Sequence, residues 1–197
     1  MRNSLESEVR NSFALGYFLS LVNEYISYIK SDGILNFNDE KILNKALDLL
    51  QKFHGNYYSL FNEKIILFPN LKTIDDIIEY FECFFDYVKE KIHKDHSGVF
   101  EIAFYVGGIV SVTELLGPCD IDKQKFVEIL YYLLKECNSN FCEFNPREIE
   151  QKLFSENDDE RKQARDSILF LIYQDNFLSG EIDIIVEIEK VIHKSVF

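Results

Sequence analysis

Apolar residues recur every three or four positions along most of this chain, the spacing that gathers them on one face of an α-helix. The first such run predicts a helix from about Ser4 to Lys30. Phe13, Tyr17, Leu21, Tyr25 and Ile29 form its stripe, and Phe18, Val22 and Ile26 widen it. Lys30-Ser31-Asp32-Gly33 closes it on a glycine suited to a left-handed cap. Asn38 then caps a second helix with Asp39 and Glu40 in its first turn, which turns Ile42, Ala46, Leu49, Leu50 and Phe53 inward and stops near His54-Gly55-Asn56, a stop past Tyr57 being the alternative. Thr73, with Asp76 three residues on, starts a third, striped by Ile74, Ile77, Ile78, Phe81, Phe84, Phe85, Val88 and Ile92.

Ser97 caps a fourth segment of different character. Val99 to Gly117 is the most apolar run in the chain, and it is expected to be the buried central helix on which the others pack. It does not read as a membrane span: Glu101 and Glu114 sit near its ends, Gly107-Gly108 interrupts a run that is already short, and carboxylates at membrane depth are costly. Each of those glycines costs about 1 kcal/mol relative to alanine in a helix interior. Close approach of another helix backbone would offset that cost, and a kink is the alternative.

Asp120 is expected to cap a fifth helix carrying Phe126, Ile129, Leu130, Leu133 and Leu134. Asn145-Pro146-Arg147-Glu148 and the pair Asn157 and Glu160 open two more, the last running through Tyr173. Lys64 to Phe68 is short, branched and bounded by breakers, and so reads as extended. Glu181 to Glu189 alternates in part; helix is favoured, and if it were a strand, Lys64 to Phe68 would be its mate. The expectation is an all-α bundle of about six to eight helices in one domain, residues 1–197, with at most a minor two-stranded element.

Two segments share a layout of long apolar helix, acidic turn and second helix, Phe13 to Phe53 and Phe100 to Leu134, which looks like a duplicated helical hairpin. The first turn, KSDG followed by NDEK, resembles the acidic helix-loop-helix of the tellurite-resistance TerB-like family over about thirty residues. That resemblance implies an all-helical fold of related halves with acidic residues around a metal, here Asp32, Asp39 and Glu40. The second segment departs from it, because Leu116-Gly117-Pro118 stands where an Asp-Gly pair would be expected. The turn is not a calcium EF-hand, since Tyr28 and Lys30 would occupy ligand positions that require carboxylates.

Charge narrows the partners. A net −13, from 34 acidic against 21 basic residues of which five are Arg, disfavours direct nucleic-acid binding and an anionic membrane surface. It suits a protein partner with a basic surface. At 47% apolar, with 18 Phe and 11 Tyr, the chain can fill a sizeable aromatic core. Four cysteines form no CxxC pair, and MRNSLESEVR lacks the apolar core of a secretory signal, so a cytoplasmic protein with free thiols is expected, Cys83 and Cys137 being buried on apolar faces.

The search for chemistry leaves little. Glu90 and His93 have Glu-x-x-His spacing, and His96 lies a further three residues on, so one helical face could aim all three at a divalent metal. No second Glu-x-x-His exists to build a bridged di-metal site. No Arg closely precedes a His, no phosphate loop follows Gly107-Gly108, and Ser111 lacks the glycines of a nucleophile elbow. The acidic run Glu156, Asp158, Asp159 and Glu160 reads as a helix cap and solvated loop, or as a face for a basic partner. With no catalytic residue, no cofactor motif and only these metal candidates, the leading expectation is a non-enzymatic acidic interaction protein: an inhibitor, an immunity or anti-defence factor, or an adaptor subunit. A metal-binding or sensory helical domain of TerB-like type is the second reading, and a nucleic-acid mimic the third.

Overall fold

The computed structural model describes residues 2–32, 37–61, 71–95, 98–117, 120–137, 145–173, 187–188 and 190–191. Among these, the chain forms an all-α bundle of seven helices: α1 (Arg2–Asp32), α2 (Phe37–Phe61), α3 (Ile74–Asp95), α4 (Val99–Leu116), α5 (Lys123–Cys137), α6 (Pro146–Leu153) and α7 (Asp158–Tyr173). Among the described residues, no helix is long and apolar enough to cross a membrane.

The helix starts follow side-chain chemistry. Before α3, Asp76 Oδ2 accepts from the backbone N–H groups of Lys72 (3.0 Å) and Thr73 (2.9 Å), while Thr73 Oγ1 accepts from Asp76 N–H (3.1 Å), a reciprocal box as expected. Asn145 caps α6 by accepting from Arg147 N–H at 3.1 Å, with Pro146 in the first turn. Asn157 caps α7 by accepting from Asp159 N–H at 2.9 Å, but its own N–H goes to Ser155 Oγ rather than to Glu160.

Three caps differ from expectation. Helix α5 is capped by Asp122, whose carboxylate accepts from Lys125 N–H at 3.1 Å; Asp120 lies too early to reach an orphan donor of this helix. Helix α2 begins at Phe37, so Asn38 falls inside its first turn, and it runs on through His54-Gly55-Asn56 because a single interior glycine costs only about 1 kcal/mol. Helix α4 starts from Gly98, not Ser97, with no side-chain cap. Gly98 (φ 92°) and the closing Gly117 (φ 94°) both adopt left-handed backbone that other residues rarely take.

The centre of the bundle is a pair of helices. Ser12 Oγ donates to the Phe100 carbonyl at 2.7 Å, Gly16 lies against the Phe104 backbone, and Gly108 lies against Ser20, so contacts advance together along both chains and α1 and α4 run parallel. The approach is at backbone level. A Cβ on Gly16 would meet the Phe104 carbonyl oxygen at 1.9 Å, and one on Gly107 would meet the Phe13 carbonyl oxygen at 2.2 Å. Small residues at four-residue spacing permit this, Ser12, Gly16 and Ser20 on α1 against Ala103, Gly107 and Ser111 on α4. The glycine pair therefore serves close packing, not a kink. The pattern Phe-x-x-Gly-x-x-x-Ser occurs on both helices, from Phe13 and from Phe104, so the contact is reciprocal.

The other helices clothe this pair. Helices α2, α3 and α5 pack on α1, while α3, α5, α6 and α7 pack on α4. The stripe Phe13, Tyr17, Leu21, Tyr25 and Ile29 is buried throughout, and Ser12 to Leu19 is buried without a break, so α1 is enclosed on every side there. Helix α4 contacts more neighbours yet is not enclosed: Ile102 (41% exposed), Tyr105 (44%) and Leu116 (57%) face outward. Cys83 is also exposed, against expectation, because the helical period that buries Phe81, Phe84 and Val88 turns position 83 away from the core. The side chains of the other three cysteines, and Lys64 to Phe68, lie outside the described residues. Of Glu181 to Glu189, Glu187 and Ile188 are described: both are helical, Ile188 is fully buried, and Glu187 pairs with Lys45 of α2 at 2.5 Å.

Candidate functional site

Helices α3 and α4 are joined by a few residues and so run antiparallel. At the closed end of this hairpin His93 Nδ1 pairs with Glu101 Oε1 at 2.7 Å. One and two turns further from that end, Lys89 and Phe85 of α3 face Tyr105, Ile109 and Phe104 of α4, the Phe85 and Phe104 rings having centroids 6.4 Å apart. Between them opens a groove of about 260 Å³, closed below by Ser20 of α1 and at its far end by Val112 and Ile121. Glycine at 108 leaves room on this floor: a Cβ there would stand 2.6 Å from Ser20 Oγ.

The lining is apolar with three polar tips. Lys89 Nζ sits 4.5 Å from the Phe85 ring centre and 2.7 Å from Asp86 Oδ1, so its charge is already matched. Ser20 and Tyr105 contribute hydroxyls. One turn beyond Ser20, burial raises the carboxyl pKa of Glu24 above its ordinary value.

Two rows of residues border the groove. On α4 the outward ridge is Ile102, Tyr105 and Leu116, with Ile109 and Val112 half-buried beside it, a helical stripe that would be ordinary in a core but is uncommon on a surface. On α3 the row is acidic. Asp75, Glu79, Glu82, Asp86 and Glu90 follow at three- and four-residue steps and lie immediately outside the Phe85–Lys89 wall. Lys30 of α1 pairs with Glu82 at 2.6 Å, and Lys94 pairs with Glu90, whose hydrogen bond to that ammonium holds its carboxyl below the usual range.

The residues singled out from sequence are dispersed by comparison. Asp39 is 2% exposed and accepts the Tyr25 hydroxyl at 2.7 Å, so it serves the α1–α2 contact. Glu40, the next residue, points to solvent, and the side chain of Asp32 lies outside the described residues. Glu90 and His93 share a face of α3 but are engaged by Lys94 and Glu101 respectively, and His96 lies outside the described residues. Among the described residues, no three His, Cys, Asp or Glu side chains converge as metal ligands would. Glu156, Asp159 and Glu160 are exposed at the start of α7, which Asn157 caps, and Asp158 pairs with the buried Arg161.

What sequence reasoning missed is the groove itself: Ser20, Lys89, Tyr105, Ile109, Val112 and Ile121. Its one legible signal was that α4 is apolar on more faces than a helix packed on one side requires. No family model matches the chain, nor do any curated proteins or solved structures, so the likeness of the first acidic turn to the TerB-like family rests on that turn alone.

Proposed function

We propose that this chain is a non-enzymatic protein-binding domain that engages and modulates a basic partner through the face formed by α3 and α4. The observation that carries the reading is the juxtaposition of an outward apolar ridge, Ile102, Tyr105 and Leu116, with a groove lined by half-buried Ile109 beside it and an acidic row beyond. Aromatic and aliphatic residues at the centre with charge at the rim is the composition that interfaces favour. The polar groups in the groove are two hydroxyls and an ion-paired ammonium, a set suited to seating an apolar side chain rather than to moving protons. The chain's net charge of −13 steers association toward basic surfaces.

The test is a paired affinity capture from extract of the source cells, with the unaltered chain and a Tyr105→Glu variant immobilised side by side. A protein held by the first and lost from the second supports the reading. Identical sets of retained proteins, with the variant folded by circular dichroism, overturn it.

A further inference from the structure

We infer that the occupant of the α3–α4 groove is an amphipathic helix of a partner protein, with basic residues along the flank that meets α3 and one large apolar side chain seated over Gly108. The inference rests on the protein-binding reading above and adds the shape and charge of what binds.

Four observations select this occupant. At about 260 Å³ the cavity lies below the roughly 300–1,000 Å³ of pockets that bury drug-sized ligands, so it suits an anchoring side chain better than a whole small molecule. The apolar ridge from Ile102 to Leu116 runs about 20 Å at 1.5 Å per residue, the length of roughly four helical turns. Both walls are helices, and a third helix laid between them meets the groove with anchors at i, i+3, i+4 and i+7, as helix-in-groove recognition requires. On the α3 flank Glu82, Asp86 and Glu90 are ion-paired with Lys30, Lys89 and Lys94, so Asp75 and Glu79 give it its net negative sign. A second copy of this chain would bring its own −13 against that row, and like charges oppose it.

The probes are two synthetic four-turn helical peptides with the same Leu face, one flanked by Lys and Arg and the other by Glu, each labelled and titrated with the full chain by fluorescence anisotropy. The basic peptide is expected to bind at least about tenfold more tightly than the acidic one. Replacing Ile109 by Glu separates seating from mere charge attraction, because it makes the protein more acidic while spoiling the groove. The inference expects this variant to lose about tenfold or more in affinity for the basic peptide. Unchanged or tighter binding overturns it. Tyr105→Ala gives the same reading without a new charge, should the Ile109 variant fail to fold. Joint replacement Glu79→Lys and Asp86→Lys is expected to reverse the preference between the two peptides; retention of the original order overturns the charge assignment. If neither peptide binds while capture of a cellular partner still depends on Tyr105, the helix inference falls and the protein-binding reading stands. If capture is also indifferent to Tyr105, both fall.

Discussion

Helix α4 has two faces built from similar material and put to opposite ends. On the inner face Ala103, Gly107 and Ser111 let the helix lie against α1 backbone to backbone, with the Phe13 and Phe104 carbonyls where a larger side chain would stand. On the outer face Ile102, Tyr105 and Leu116 are 41%, 44% and 57% exposed. Small residues thus sit where packing is tightest, and large apolar residues sit where packing ends. Size on the outer face is not explained by the core, because burial is the only return the core offers a large apolar side chain. The difference teaches that apolar composition marks two separate demands on this helix, one met inside the bundle and one directed outward.

The inner face gives the largest expected effect. In an open helix, Gly107→Ala would stabilise by up to about 1 kcal/mol through helix propensity. Here the added Cβ would stand 2.2 Å from the Phe13 carbonyl oxygen. The expected sign is therefore reversed: Gly107→Ala should destabilise, and Gly107→Val should cost about 3 kcal/mol or more, the upper range for overpacked cores. Urea unfolding reads both variants. A midpoint raised by Gly107→Ala would break the contrast between the faces, since it would mean the two helices are not in backbone contact.

A smaller effect is expected where the enclosed centre meets α2. Tyr25 is fully buried and donates to Asp39 at 2.7 Å. Tyr25→Phe removes a donor from a buried carboxylate, and the group left behind costs about 1–3 kcal/mol. Burial first, and then the Asp39 hydrogen bond, raise the pKa of this phenol far above its ordinary value near 10. The folded chain therefore keeps a proton that the unfolded chain releases. This contribution to stability is fully present below about pH 10 and is lost as pH rises beyond it. Wild-type stability should fall through that alkaline range more steeply than that of Tyr25→Phe, as measured by unfolding at stepped pH. Parallel curves would place the hydroxyl in water.

The α3 wall of the groove depends on its start. Thr73→Ala removes one half of the reciprocal cap and should cost about 1 kcal/mol. The N–H of Lys72, then the hydroxyl and N–H of Thr73, hold the Asp76 carboxyl below its usual value. The stabilisation is therefore present above the ordinary carboxylate range and is lost as pH falls through the lowered value. Asp76→Asn should flatten the acid limb of the stability profile. An acid limb identical to wild type would show that the box does not hold this helix end.

How much of this was legible beforehand follows the physics of each feature. Helix stripes were, because burial enforces a period: the five residues from Phe13 to Ile29 named from spacing all lie in the core. Caps were legible at Thr73, Asn145 and Asn157, whereas those of α2, α4 and α5 were misplaced by one or two residues, since several nearby Asn, Asp or Ser could serve each. The close approach at Gly107 was legible as a cost in want of a reason; its partner Gly16 was not, because nothing local says which helix arrives. Among the described residues, the metal candidates Glu90 and His93 meet other partners for a similar reason. Spacing puts Glu90 and His93 on one face, but whether a ligand or Lys94 and Glu101 faces them is decided by tertiary placement. The groove was invisible because it is made by three helices distant in sequence, and because α4 offers no polar face to show which side is left open.

The outer face gives the smallest expected effect, and its smallness is the point. Ile102→Ser and Tyr105→Ser each replace a large apolar side chain on a helix whose inner face tolerates no added methyl. Were the ridge structural, such losses would approach the 2–5 kcal/mol typical of core truncations. Because both residues are only about two-fifths exposed and Tyr105 meets the Phe104 ring edge-on, each substitution should cost no more than about 1 kcal/mol, well short of a core truncation. Thermal unfolding of the two single variants and the double decides it. A loss of several kcal/mol would return the ridge to the core and remove the reason to seek a partner for it. A near-neutral result, beside a collapsed Gly107→Val, would leave the outer face of α4 with large apolar side chains that folding does not require. That outcome would support the proposal that these side chains serve contact with another molecule.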